Sequence, residues 1–200
     1  MKKKIAIIGS GIGGLTAANL LIKNFDFEII VYEKEGMLSL DEGYGIQLAT
    51  NSVSILNKIG FGNISNNDIF NPTKLNFYSN SNKICDLDLD RFNSNLVKYT
   101  TLRRSTLIEF LKDKLFTNNF RFGKEVRKVS KIKDKFLINF SDNTNDLVDF
   151  IIVSDGVFSK TKSIIENKTI KPKYNGSVAI RTVIKLSEEF NYDAKNISLI

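Results

Sequence analysis

Three glycines near the N-terminus have a spacing that suits the binding of a pyrophosphate. Gly9, Gly11 and Gly14 form the pattern G-x-G-x-x-G, with Gly13 as a fourth glycine in the same turn. In this pattern the first glycine allows a tight turn, the second lets a phosphate approach the backbone, and the third lets a helix pack closely on a strand. The free N–H groups of the helix then stabilise the anion without a cationic side chain. The pattern therefore predicts a dinucleotide site.

The elements around this turn are the ones that such a site requires. Ile5 to Ile8 form an apolar run, typical of a strand covered on both faces, which leads directly into Gly9. Apolar residues then recur at spacings of three and four from Ile12 to Ile22, which predicts a helix ending near Asn24. Residues 27–32 are rich in β-branched and aromatic side chains and predict a second strand. The chain therefore begins with a β-α-β unit.

An acidic residue stands where a ribose would be recognised. Glu33 ends the second predicted strand, 19 residues after Gly14 (33 minus 14). A carboxylate there accepts hydrogen bonds from ribose hydroxyls and repels a 2′-phosphate, so NADP is disfavoured and both FAD and NAD remain. The alternative interpretation is a glycine-rich turn that binds nothing, followed by an exposed glutamate.

The composition limits the chemistry that the side chains can do alone. The 200 residues are 42% apolar, as expected of a globular protein. With one cysteine, Cys85, and no histidine, we predict no internal disulfide and no metal site, and we expect any redox chemistry to need a cofactor. The charge of +7 comes from 23 Lys and 6 Arg scattered along the chain, so we predict no nucleic-acid partner.

No segment of the sequence predicts membrane insertion or export. No apolar run approaches the roughly 18 residues that a membrane span needs. The apolar run after Lys2–Lys4 is too short for a signal peptide and leads straight into glycines. We therefore expect no transmembrane segment and a cytoplasmic protein.

The rest of the chain alternates between this unit and a second domain. In chain order the sequence predicts a glycine-rich loop over 35–50, a short helix capped by Thr50 or Asn51 and running through Ile59, a hairpin over 74–89, a helix from Leu107 to Leu115, strands over 121–126, 129–133 and 136–140, a turn at 142–145, a buried strand over 149–154, and a strand over 177–186. The hairpin does not fit the β-α-β rhythm and indicates an excursion into a second domain. The three short strands indicate an antiparallel meander.

Four segments carry a resemblance to a known family. They are Gly9 to Glu33, Gly43 to Leu48 followed by Asn51, Arg104 with Leu107 three residues later, and the strand with its Asp-Gly pair over 149–159. In this order they resemble the FAD-dependent aromatic monooxygenases, which include p-hydroxybenzoate, salicylate and ubiquinone-pathway hydroxylases. Asp155-Gly156 is the most specific part of the likeness and favours FAD over NAD.

The resemblance implies a cofactor and a set of contacts. It implies FAD, NAD(P)H as co-substrate, O2 and a small aromatic substrate. The implied FAD contacts are Gly9, Gly11, Gly13 and Gly14 at the pyrophosphate, Glu33 with Lys34 beside it at the adenosine ribose, Val126 by the adenine, Arg104, Asp155 and Gly156 at the middle of FAD, and Gly45, Ile46 and Gln47 near the isoalloxazine. No catalytic acid or base is predicted, because the cofactor carries the chemistry.

The expected fold is α/β, with a Rossmann-like FAD/NAD(P)-binding domain, a β-meander and part of a β-sheet substrate domain. We assign residues 1–71 and 98–165 to the first domain and 72–97 and 166–200 to the second. The family's second FAD motif, a Gly-Asp pair, is not found in the sequence. Since complete family members are close to twice as long, we expect the family's C-terminal half to be missing.

Two departures from the family pattern leave alternatives open. Lys162 stands where the family usually closes the Asp-Gly motif with arginine, which keeps the charge but loses the bidentate fork. Thr50 replaces the usual proline. The expected function is the FAD-binding portion of a monooxygenase. The alternatives are another FAD-dependent oxidoreductase of the same fold, and a truncated module that binds FAD without catalysis.

Overall fold

The computed structural model describes residues 2–38, 40, 44–79, 82–178 and 195–199. Its helices are α1 (Ile12–Asn24), α2 (Thr50–Asn57), α3 (Arg104–Lys112) and α4 (Lys160–Ile165). Its strands are β1 (Lys4–Ile8), β2 (Glu28–Tyr32), β3 (Gly45–Leu48), β4 (Ile69–Phe70), β5 (Lys74–Ser79), β6 (Asn82–Asp88), β7 (Thr100–Arg103), β8 (Phe120–Arg121), β9 (Val126–Ile132), β10 (Lys135–Phe140), β11 (Asn145–Val148), β12 (Phe150–Val153) and β13 (Ile197–Leu199). Among these described helices, none is both long and apolar enough to cross a membrane.

The described residues form two compact units. The first contains residues 2–38, 40 and 107–178, and the second contains 44–79, 82–106 and 195–199. The second unit therefore includes residues 44–71 and 98–106, which the sequence assigned to the FAD-binding domain. The assignment of these residues to the FAD-binding domain stays a prediction.

The first unit is built on a parallel sheet with the strand order β12-β1-β2-β8. β1 lies between β12 and β2, with Ile8 opposite Val153 on one side and Tyr32 on the other. Because side chains alternate along a strand, Ile5 and Ile7 pack towards α1, while Ala6 and Ile8 pack on the opposite face. The α/β class and the initial β-α-β unit are as predicted.

An antiparallel meander covers the second face of this sheet. Its strand order is β11-β10-β9, and its apolar residues join a core that includes Tyr32 and Phe140, whose rings stack at 4.8 Å. The buried hydroxyl of Tyr32 donates to Asp146 of β11, and the Lys4 ammonium donates to the same carboxylate at 2.6 and 2.7 Å. This network ties β1 and β2 to the meander.

The second unit contains three antiparallel strand pairings. β3 and β4 flank β7 in one sheet, and β5 pairs with β6 as the predicted hairpin. β13 adds to β5 in parallel, so β5 lies in the middle of its sheet.

The predicted strand over 121–126 is wrong. Arg121 ends β8, which extends the parallel sheet beside β2, and Gly123 then turns the chain with φ of +68°. Val126 begins the next strand instead of ending one. The third strand of the meander is β11, and it starts at Asn145, where a turn was predicted. A short turn at Asn143, with φ of +65°, replaces the longer one.

Five further predictions need correction or lie outside the described residues. β12 is half exposed rather than buried, because among the described strands it pairs with β1 alone. Residues 45–48 of the predicted loop form β3, because they pair with β7. The N-cap of α2 is Ala49, without a side-chain cap, and α3 ends at Lys112. Of the predicted strand over 177–186, residues 179–186 lie outside the described part of the chain.

Candidate functional site

Three strands of the first unit end at one edge of the sheet and bring the chemistry-bearing segments together. Gly9 follows β1, Glu33 follows β2 and Asp155 closely follows β12. The edge is held by backbone bonds from Gly9 N–H to the Tyr32 carbonyl and from Ser154 N–H to the Ile8 carbonyl, both 2.8 Å. In open α/β sheets the carboxyl edge of the strands is where ligands bind.

The first and third glycines of the turn are required by the protein itself. Gly9 has φ of +101°, and a Cβ there would lie 2.5 Å from the Ser154 carbonyl oxygen. A Cβ on Gly14 would lie 2.0 Å from the Gly9 carbonyl oxygen and 2.7 Å from Ser154 Oγ. The tight turn and the close approach of helix and strand therefore have the geometry that the spacing predicted.

Packing within the protein does not require glycine at Gly11, the second glycine of the pattern, or at Gly13. A Cβ on either Gly11 or Gly13 would meet no heavy atom of the protein within 4 Å. Gly11 is the N-cap of α1 and provides no side-chain cap, and the first α-helical bond runs from Leu15 N–H to the Gly11 carbonyl, 3.0 Å. The N–H groups of the first turn precede that bond, so they are available to an anion in the open space.

Glu33 is held firmly at the end of β2. Its Oε2 accepts hydrogen bonds from Ser10 N–H at 2.9 Å and from Ser10 Oγ at 2.5 Å, and its Oε1 accepts from Glu35 N–H at 3.1 Å. Partial burial acts to raise the pKa of Glu33, but these hydrogen bonds outweigh it and hold the pKa below its ordinary value. Glu33 is therefore a fixed, ionised acceptor beside the glycine turn.

Asp155 has one satisfied and one unsatisfied carboxylate oxygen. Oδ2 accepts from Thr161 N–H at 3.1 Å, in the first turn of α4, whereas Oδ1 is buried and has no hydrogen-bond partner. Gly156 follows with φ of +87°, so this position strains any residue with a side chain. A buried unpaired carboxylate oxygen is costly, and a donor such as a ligand hydroxyl would relieve that cost.

A cavity of about 570 Å³ connects this aspartate with the glycine turn. Its lining includes Gly13, Asp155 and Lys162, all in the first unit. The open glycines, the helix N-terminus, the ionised Glu33 and the unpaired Asp155 oxygen together fit an anionic ligand that carries hydroxyl groups. A dinucleotide has both features.

The second unit brings the other predicted contacts close to each other. Gly45 of β3 pairs with Arg103, and Arg104 N–H donates to the Tyr44 carbonyl at 3.2 Å. The side chain of Gln47 is exposed, and its Oε1 accepts from the Tyr99 hydroxyl at 2.6 Å. The second and third family segments therefore meet through the pairing of β3 and β7.

The predicted contacts thus fall into two groups. Gly9, Gly11, Gly13, Gly14, Glu33, Lys34, Val126, Asp155 and Gly156 lie in the first unit, and Gly45, Ile46, Gln47 and Arg104 lie in the second. Lys34 is exposed and pairs with Glu35 at 3.4 Å. Val126 is 5% exposed and packs in the core with Ile8 and Tyr32, so its place by an adenine stays a prediction.

The sequence pattern did not identify two residues that shape this edge of the sheet. Ser10 binds Glu33, and Ser154 packs against Gly9 and Gly14. Each is a small polar residue next to a recognised motif, Ser10 between two glycines and Ser154 before Asp155. That position was the available signal.

Comparisons with known proteins agree with this geometry. Residues 7–41 match the family model of the NAD(P)-binding Rossmann-like domain. The chain is 28% identical over 189 residues to 6-hydroxynicotinate 3-monooxygenase of Pseudomonas fluorescens, covering 92% of this chain and 48% of that protein. It is 24% identical to a 3-amino-4-hydroxybenzoate 2-monooxygenase of Streptomyces platensis, covering 92% of this chain and 46% of that protein. The chain is therefore similar in sequence to monooxygenases of aromatic compounds, as the resemblance predicted.

Solved structures show the same fold. The 2,6-dihydroxypyridine-3-hydroxylase of Arthrobacter nicotinovorans matches with a TM-score of 0.71 at 20% identity, covering 88% of this chain and 42% of that one. Klebsiella pneumoniae HpxO, complexed with FAD and uric acid, matches with a TM-score of 0.70 at 23% identity, covering 84% and 42%. The predicted family likeness and fold class are therefore confirmed, and the chain spans about half the length of the curated relatives that it matches.

Proposed function

We propose that this chain is the FAD-binding portion of a flavin-dependent monooxygenase that hydroxylates a small aromatic compound with NAD(P)H and O2. The observation that carries the proposal is the meeting of Gly9 to Gly14, Glu33 and Asp155 at one edge of the sheet, beside a cavity of about 570 Å³. The names of the relatives support the same reaction class.

Different residues of the first unit are proposed to contact different parts of the cofactor. Gly11 and Gly13 at the N-terminus of α1 would hold the pyrophosphate, since a Cβ on either would meet no protein atom. Glu33 would accept from the adenosine ribose, and Asp155 Oδ1, the buried oxygen without a partner, would accept from a hydroxyl in the middle of FAD. Arg104 and residues 45–47 of the second unit are the proposed contacts of the flavin, and Val126 and Lys34 those of the adenosine.

The side chains position the cofactor and do not replace it. Bound FAD supplies the transfer of electrons from NAD(P)H and the activation of O2. Glu33 stays ionised, because Ser10 and Glu35 donate to it, and it excludes a 2′-phosphate. Because the chemistry draws on NAD(P)H, we place the protein in the cytoplasm as part of this proposal.

The test is a titration of the purified chain with FAD, followed by quenching of flavin fluorescence. Glu33→Ala removes an ionised acceptor, and losing such bonds should raise Kd by roughly tenfold to a hundredfold. Glu35→Ala is the matched control, since it removes an exposed carboxylate two residues away but keeps the N–H that binds Glu33. Equal Kd values for Glu33→Ala and the wild type would refute the ribose contact. A wild-type chain that stays colourless after FAD is added and excess removed would refute the cofactor.

Catalysis is tested separately from cofactor binding. The FAD-loaded chain is mixed with NADH or NADPH, and oxygen consumption is followed with and without a phenolic or hydroxypyridine substrate. Hydroxylated product is the expected result for the monooxygenase. Oxidation of NAD(P)H without product would favour another oxidoreductase of this fold, and bound FAD without NAD(P)H oxidation would favour a non-catalytic binding module.

A further inference from the structure

Ser10 makes two hydrogen bonds to a single oxygen of Glu33. It lies between Gly9 and Gly11, where the glycine spacing leaves the residue type free, and it is 6% exposed. Its N–H lies 2.9 Å from Glu33 Oε2, and its hydroxyl oxygen lies 2.5 Å from the same atom. Of the two donors, the hydroxyl depends on the side chain, because any residue except proline would supply the N–H.

The two oxygens of Glu33 are therefore unequal. Oε2 accepts two short bonds from Ser10, and each carboxylate oxygen has about two lone-pair directions, so Oε2 is fully used by the protein. Oε1 accepts the longer bond from Glu35 N–H, at 3.1 Å. Hydrogen bonds to an ionised acceptor are among the stronger ones, so Ser10 also fixes the rotation of the carboxylate.

This asymmetry matters for a ligand that carries two neighbouring hydroxyls. A carboxylate with both oxygens open can accept both hydroxyls of a ribose, one on each oxygen. When one oxygen is fully used, the carboxylate can accept one hydroxyl. Discrimination against an analogue without a hydroxyl is large where the site has an acceptor for it, and small where it has none.

We propose that Ser10 is a specificity-determining residue: its hydroxyl holds Oε2, leaves Oε1 to the ligand, and makes the site read one of the two adenosine ribose hydroxyls. The inference rests on the proposed dinucleotide site. Replacing Ser10 with alanine keeps the N–H but removes the hydroxyl that fixes the rotation of the carboxylate, so either oxygen can turn to the ligand and both hydroxyls become readable.

The test measures the affinity of the chain for ADP, 2′-deoxy-ADP and 3′-deoxy-ADP by calorimetry. For the wild type we expect one deoxy analogue to bind about tenfold more weakly than ADP and the other to stay within about twofold. For Ser10→Ala we expect both analogues to bind about tenfold more weakly than ADP does to that variant. The ratio between the two analogues should therefore collapse towards one.

The control is Thr16→Val, which removes a hydroxyl that has no hydrogen-bond partner from α1 without changing side-chain shape, and it should keep the wild-type ratio. Ser10→Gly adds no atom and repeats the test if the alanine variant is unfolded by circular dichroism. A wild-type ratio retained in the hydroxyl-free variant, or a wild type equally sensitive to both analogues, overturns the inference but not the site. A wild type that binds neither FAD nor ADP overturns both.

Discussion

The neighbouring glycines Gly13 and Gly14 should respond in opposite ways to the same substitution. Both lie in the first turn of α1, but an added Cβ would meet no protein atom at Gly13 and would lie 2.0 Å from the Gly9 carbonyl oxygen at Gly14. Ordinary contact begins near 3.4 Å, so Gly14→Ala forces a displacement of about 1.4 Å (3.4 minus 2.0) between backbone segments. Overpacking of this kind costs roughly 1–3 kcal/mol or more.

At Gly13, substitution by alanine is not expected to lower the free energy of unfolding. Alanine is preferred over glycine in a helix by up to about 1 kcal/mol, so Gly13→Ala should leave the free energy of unfolding unchanged or slightly raised. Urea unfolding followed by circular dichroism should therefore separate the two variants by about 1–4 kcal/mol. Equal stability of Gly14→Ala and the wild type would refute the packing argument.

The same pair tests where the pyrophosphate binds. Gly13→Ala should fold but place a methyl group in the space proposed for the phosphate, and its Kd for FAD should rise by at least about tenfold. Gly13→Ala with both wild-type stability and wild-type FAD affinity would refute the proposed position of the pyrophosphate.

Three further predictions concern Tyr32, Asp146 and Asp155. Tyr32→Phe removes the hydroxyl that donates to Asp146 and should lower the free energy of unfolding by about 1–3 kcal/mol in urea, and an unchanged value would contradict a structural role for the network. Burial acts to raise the pKa of Asp146, but the bonds from Lys4 and Tyr32 lower it overall. The stability that Asp146 contributes is therefore present above its unfolded pKa and is lost as the pH falls through its folded pKa. In Asp146→Asn, the free energy of unfolding should therefore depend less steeply on pH below about pH 4. Asp155→Ala removes the acceptor for Thr161 N–H, which lowers stability, and the buried unpaired oxygen, which raises it, so the free energy of unfolding should change by less than about 1 kcal/mol. The affinity for FAD should fall. An unchanged Kd for FAD would exclude Asp155 from the site.

The local features of the first 33 residues were readable in the sequence. The apolar run of β1, the helical spacing of α1 and the β-branched run of β2 each depend on a periodicity that neighbouring residues set. The positions of Gly9 and Gly14 were predictable for the same reason, since a tight turn between strand and helix needs glycine at fixed offsets. The hairpin over 74–89 was also predicted, because both strands and the turn are contiguous in the chain.

The edges of the sheet were not predictable from local pattern. Phe150 and Val153 belong to an apolar run that is typical of a buried strand, yet β12 pairs with β1 alone among the described strands and these side chains are 47% and 38% exposed. The short β8 was merged with the next strand, because the turn at Gly123 depends on bonds from Gly123 N–H to Glu35 and from Lys124 N–H to Glu33.

The sequence by itself determined a Rossmann-like start, a turn suited to a pyrophosphate and an acidic residue at the distance of a ribose. The tertiary structure decided which residues share the edge with that turn. Asp155 and Ser154 lie more than 140 residues from Gly9, and the parallel pairing of β1 with β12 brings them there. It also decided that Ser10 fixes Glu33 and that one oxygen of Asp155 stays unpaired. Such contacts depend on strand pairing across the fold, which no local periodicity specifies.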